Sequence, residues 1–211
     1  MRKIHFTAAT LFFSWLVLAA SAALADVTTH TIRDKVVHAQ YFQYTDGYCN
    51  GLSVEVFAGE SFARTDNLRT FTPYLILQIV GFNSCTGEPP FFMSGGTDQF
   101  TFTVLGNLAA AEVSGNVVVA DNLGNTKHVS LALSWQGGVL RRDLFRYVSS
   151  TALSRTVLRN LSTLRFSDSV TGSLVVDGVD LLSSSNVTDN SGISGLVAKV
   201  SGASIDIIRM R

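Results

Sequence analysis

Val129-Ser130-Leu131-Ala132-Leu133-Ser134-Trp135 is the stretch that decides the fold. Large apolar side chains take every second position, with Ser, Ala and Ser between them. A strand turns successive side chains to opposite faces, so this spacing buries one face and leaves the other in water. The same period returns in Leu52, Val54 and Val56 around Ser53 and Glu55. It returns again in Phe100, Phe102 and Val104 around Thr101 and Thr103, and more briefly in Ile205 and Ile207 around Asp206. Residues 74–82 differ, being apolar on both faces apart from Gln78, which predicts a central strand covered on both sides.

Turn chemistry punctuates these runs. Asp121-Asn122-Leu123-Gly124-Asn125 and Gly137-Gly138 each separate two strands, and Asp177-Gly178 supplies the positive φ values of a tight hairpin. Strands of this length with turns between them predict an all-β protein: an antiparallel β-sandwich, or alternatively a partly closed β-barrel. Residues 183–195, rich in Ser, Asn, Asp and Gly, read as a long surface loop. Residues 153–166 are ambiguous. Leu153, Val157, Leu161 and Leu164 stand at helical spacing, but Thr151, Thr156, Val157 and Thr163 are β-branched and favour a strand.

The chain opens with a segment of another kind. Arg2 and Lys3 precede an almost unbroken apolar stretch over residues 6–23, which ends in the small-x-small sequence Ala23-Leu24-Ala25. Basic start, apolar middle and small end make a secretory signal, cleaved before Asp26. The stretch approaches membrane-spanning length, but no basic stop-transfer flank follows it. Residues 26–211 are then expected as one all-β domain with no membrane span, secreted or periplasmic. Without Arg2 and Lys3, fourteen basic residues face sixteen acidic ones, a net charge of about −2. That near-neutrality gives no reason to expect nucleic acid as a partner. Cys49 and Cys85, an even pair in an exported chain, are expected to form a disulfide.

Four pieces occur in order: Tyr41-Phe42-Gln43-Tyr44-Thr45-Asp46-Gly47-Tyr48-Cys49, then Cys85-Thr86-Gly87, then Leu133-Ser134-Trp135-Gln136-Gly137-Gly138, then Gly172-Ser173-Leu174-Val175-Val176-Asp177-Gly178. Their layout resembles that of exported bacterial all-β proteins of unknown function. The resemblance implies a two-sheet β fold, a strand over residues 155–166 and a bacterial, extracytoplasmic setting. It carries no activity, cofactor or catalytic residue.

Chemical motifs are sparse. The histidines after the leader are His30, in an N-terminus expected to be ragged, and His38 and His128, read as satisfied surface residues. No Gly-x-Ser-x-Gly elbow and no zinc-binding spacing occurs, so neither a catalytic residue nor a metal or other cofactor is assigned. Glu55 sits within a strand pattern and points outward. With a second outward-facing carboxylate it defines the alternative reading, a secreted hydrolase of glycans or other polymers. The preferred reading is a non-enzymatic binding or interaction module. Its candidate site is Arg141, Arg142, Arg146, Arg155, Arg159 and Arg165, six arginines within twenty-five residues that contain one acid, Asp143. Guanidinium groups suit carboxylate, sulfate or phosphate, so the expected partner is an anionic ligand or a polysaccharide. The opposing expectation is that acids elsewhere, such as Asp168 and Asp206, neutralise them. Phe91 and Phe92, after two prolines, are expected to plug one end of the fold.

Overall fold

The computed structural model describes residues 25–45, 49–83, 85–87, 90–151, 154–183 and 191–209. The expected leader and most of the loop expected at 183–195 lie outside these residues. The strands are β1 (Ala25–Thr45), β2 (Asn50–Thr65), β3 (Leu68–Asn83), β4 (Phe91–Thr97), β5 (Phe100–Val104) and β6 (Ala110–Ala120). They continue as β7 (Thr126–Gln136), β8 (Val139–Ser150), β9 (Ser154–Phe166), β10 (Ser169–Val176), β11 (Val179–Asp180) and β12 (Ser191–Arg209). All pairings are antiparallel within one curled sheet, a half-barrel, in the order β11-β10-β7-β6-β4-β3-β2-β1-β12-β9-β8. β5 pairs with β6 beside this path.

Curling divides the sheet into two halves. In the closed half, alternate residues of each strand point inward to one core. Val37, Ala39 and Tyr41 of β1 meet Val54, Val56 and Ala58 of β2 and Leu75, Leu77 and Ile79 of β3. Val129, Leu131, Leu133 and Trp135 of β7 close over them from the far side. The period-two pattern thus does what its spacing predicts in β2 and β7, whereas Ile205 of β12, in the same pattern, is exposed because its strand has run past the core. β3 is central as expected, but its outer face is not covered, and Ile76 remains exposed.

The ends of the sheet are joined by one long two-stranded ribbon. β7 pairs with β10 and β8 pairs with β9 in the same register, Gln136 opposite Ser169 and Val139 opposite Phe166. Between them Gly137 and Gly138 take φ values of 70° and 99°. These left-handed conformations suit glycine and bend the ribbon from one side of the curl to the other. Residues 137–138 therefore mark a bend within a hairpin and not a hairpin tip. At the bend the Ser167 N–H donates to the Gly195 carbonyl of β12 (3.0 Å), and the Asp168 N–H donates to the Gln136 carbonyl of β7 (3.1 Å). Consecutive residues thereby tie the two ends of the sheet.

Trp135 fills the gap that remains. Its indole is fully buried, and its Nε1–H donates to the His38 carbonyl of β1 at 2.9 Å. Gly195 makes room for it, because a Cβ there would collide with the indole and with Val170. Residues 191–195, expected in a loop, thus begin β12. Residues 154–166 are a strand, as the β-branched residues suggested. His30 lies in β1, not in a ragged terminus, with its Nδ1 2.9 Å from the Thr65 hydroxyl. Asp177 and Gly178 form the expected tight turn with positive φ.

Cys49 and Cys85 form the expected disulfide, with Cα atoms 5.0 Å apart. It joins the start of β2 to the end of β3. Phe91 and Phe92 do not plug the fold. Both are about half exposed at the start of β4, where the Phe91 ring packs over Gly81. That neighbour has no side chain to bury the ring.

Two stability measurements test this arrangement. Replacing both cysteines with serine frees a 36-residue loop in the unfolded chain. It should lower unfolding stability by roughly 3–4 kcal/mol in chemical denaturation. Gly195→Val should cost more than about 3 kcal/mol, because its side chain would overlap the buried indole and Val170, which are packed into the same core. A Gly195→Val unfolding midpoint equal to the parent's would show that the seam is not tightly packed.

Candidate functional site

Beyond the core, β1, β2, β3, β12, β9 and β8 continue as an open half. Register decides which side chains share its inner face. Val37 and Val197 point into the core, so Lys35, Arg33, Lys199 and Ser201, two and four residues away, line the same side further out. Following the pairings outward, Arg159 lies beside Ala203 and Arg146 beside Arg159. Arg142 lies beside Thr163, and Arg155 beside Ile207. In the other direction Arg64 faces Thr31, and Arg69 faces Arg64.

Five of the six arginines singled out in the sequence are therefore on one face: Arg142, Arg146, Arg155, Arg159 and Arg165. Arg141 is on the opposite face, where its Nε approaches Asp143 at 3.1 Å. The same face gains Arg33, Lys35, Arg64, Arg69 and Lys199, which sequence spacing did not connect to the cluster. Its acids among the described residues are Glu60, 3.6 Å from Lys35, and Asp66, whose carboxylate accepts the Thr29 N–H. Asp34 and Asp206 lie on the outer face, accepting hydrogen bonds from Ser61 and Thr156. Asp168 receives the Gly138 N–H. Neither Asp168 nor Asp206 neutralises the arginines.

Three cation pairs stand directly opposite each other on this face: Arg146 and Arg159, Lys35 and Lys199, and Arg64 and Arg69. Directly opposed residues in an antiparallel ladder hold their Cβ atoms about 4.5–5.5 Å apart, and like charges there are destabilising. The face also contains two hollows that share Arg33. One of about 660 Å³ is lined by Arg33, Arg142, Lys199, Thr163 and Ser201, with Leu108 among its walls. The other, about 710 Å³, lies between Arg33, Phe62, Arg64 and Arg69.

Arg165 sits at the border of the two halves and serves the fold. Its Nη1 donates to the Gly138 carbonyl (2.8 Å) and its Nη2 to the Asn107 carbonyl (3.3 Å). It holds the ribbon bend against the loop that carries the buried Leu108. Its Nε is buried with no partner among the described residues.

Glu55 points outward, as its place in the pattern predicts. Its cross-strand neighbours are the amides Gln40 and Gln78, and the Gln40 Nε2 donates to its carboxylate at 3.2 Å. His38, expected at the surface, is half-buried. Its ring stacks on Phe57 with centroids 4.5 Å apart, and its Nε2 is buried without a partner among the described residues. Burial lowers its pKa below the usual histidine value, and the nearby Glu55 charge opposes this shift only in part. Among the described residues no group of three His, Cys, Asp or Glu is placed to hold a metal ion. No helix among them is long and apolar enough to cross a membrane. No protein-family model, curated protein or solved structure matches the chain.

The shift at His38 gives stability a pH dependence. The unfolded chain takes up the imidazole proton at about pH 6.5, whereas the folded protein resists it until lower pH. Stability from this group is therefore complete above about pH 6.5 and falls as pH drops toward the depressed folded value. Denaturation midpoints between pH 7.5 and 5 should decline, and His38→Phe should flatten the decline. An equal slope in that variant would assign the effect elsewhere.

Proposed function

We propose that the protein is an extracytoplasmic binding module that captures an anionic ligand or polymer on the inner face of its open half. The three opposed cation pairs carry this reading. A sheet face built only for solubility gains by placing acids opposite bases. This one instead accepts repulsion at Arg146–Arg159 and Arg64–Arg69, and relieves it at Lys35–Lys199 only through Glu60 beside Lys35, while Asp34, Asp143 and Asp206 occupy the other face. An anion seated between opposed guanidiniums reverses the sign of that term. It also meets planar, fixed donors suited to carboxylate, sulfate or phosphate oxygens. The two hollows give such groups places to sit beside Arg33. The disulfide suits an oxidising compartment, and the leader read in residues 1–25 supplies the export route.

Retention on immobilised heparin tests the reading. The parent should bind at low salt and elute as salt screens the contacts. Arg146→Ser combined with Arg159→Ser should elute at lower salt while its melting temperature holds or rises, because one repulsive pair is gone. Arg141→Ser, on the other face, should elute close to the parent. Unchanged elution of the double variant would remove this face from the function.

A further inference from the structure

We infer that the anion this face takes is the phosphate surface of an anionic lipid bilayer, an inference that rests on anion binding by the same residues. The register lays out the face in bands. One row crosses the strands as Arg69, Arg64, Thr31, Ala203, Arg159 and Arg146. The next row toward the core runs Phe71, Phe62, Arg33, Ser201, Leu161 and Leu144. The row after that runs Pro73, Glu60, Lys35, Lys199, Thr163 and Arg142, three cations with the one acid Glu60 beside Lys35. On the other side of the first row lie Ile205, Val157 and Val148. Rows on one face are two residues apart, about 7 Å, so cationic and apolar bands alternate at close range.

The apolar bands lie open to solvent. Leu144 is 63% exposed and Phe71 58%, and Leu161, Val148 and Ile205 are exposed beside them. The solvated face of an antiparallel sheet is ordinarily polar. Strand β8 goes further, because Phe145 and Tyr147 are also exposed on its opposite face. It exposes apolar side chains between its charged ones on both sides, and no described residue covers either. Whatever covers this surface must bring negative charge and apolar matter together.

Charge selects among occupants. A second copy stacked face to face would set the same excess of cations against itself. Antiparallel pairing of two β8 edges centred between Arg142 and Arg146 would put these guanidiniums opposite or diagonal to their own copies. An acidic polysaccharide satisfies the basic rows but leaves Leu144, Val148, Leu161 and Ile205 in water, and these aliphatic side chains offer no flat ring for a sugar to stack on. A bilayer surface supplies both requirements, with phosphates for the basic rows and acyl chains for the bands between them.

The test uses the oxidised chain and vesicles of phosphatidylcholine with and without phosphatidylglycerol. The protein should sediment with the anionic vesicles, remain in solution with the neutral ones, and be released by salt. Leu144→Ser combined with Val148→Ser should weaken vesicle partitioning roughly tenfold while leaving heparin elution and melting temperature near the parent's. Full vesicle binding by that variant would overturn the lipid inference, because charge alone would then suffice. Heparin retention without binding to anionic vesicles would overturn it too, while leaving anion capture intact. Complete release by soluble glycerol phosphate would point to a small free anion, and a dimer in light scattering that this variant abolishes would point to a second copy. Either result overturns the inference. Loss of both heparin and vesicle binding would remove the parent reading with it.

Discussion

Trp135 holds the curl shut. A sheet of this many strands twists, and its two ends approach only if something bridges them across the core. Here the bridge is an indole buried against the backbone of two distant strands, hydrogen-bonded to His38 and seated over a residue with no side chain. Around it, Ser167 and Asp168 send successive N–H groups to opposite ends of the sheet. Buried backbone polar groups need partners, so this seam can form only when both ends are in place. That requirement links β1, β7, β10 and β12 in one closure.

The closure also accounts for the open half. Bending the β7–β10 ribbon at Gly137 and Gly138 carries its distal part, β8 and β9, to the far edge of the sheet, beside β12. There the strands extend past the core, with no described element stacked on them. Arg165 stands at the transition with its guanidinium committed to the Gly138 and Asn107 carbonyls. One face of the sheet therefore serves two solvents. Near Trp135 it is an apolar interior, and beyond Arg165 the same side becomes a basic surface striped with apolar bands. In this half the outer face carries Asp34, Asp143 and Asp206 while the inner face sets Glu60 and Asp66 among many more cations, so charge is polarised across the thickness of the sheet.

Strand positions and faces were legible from side-chain period alone, because a half-buried strand writes its burial directly into alternate residues. Val129, Leu131, Leu133 and Trp135 point inward as their spacing says, and Glu55 points outward. The pairing of Cys49 with Cys85 was legible from number and context. Where the reading failed, a distant neighbour was responsible. Phe91 stays exposed because the strand beside it presents Gly81, and Phe92, opposite Val80, is turned to the outer face of the sheet. Residues 191–195, with a loop's composition, become strand because the seam needs a glycine and a carbonyl at position 195. His30 and His38 are placed by partners on β2, not by their own surroundings in the chain.

The basic face divides the same way. The sequence determined that six arginines crowd into residues 141–165, and alternation within β9 placed Arg155, Arg159 and Arg165 on one side. It did not exclude Arg141, because the parity that matters is set across the β8–β9 register. Nor did it join Arg33, Arg64, Arg69, Lys35 and Lys199 to the group, since β1, β2, β3 and β12 come from opposite ends of the chain. Local period fixes which residues share a strand face, whereas long-range hydrogen bonding fixes which strands lie side by side. Charge gathers into a surface only after both have acted, and the second is written in no single stretch of sequence.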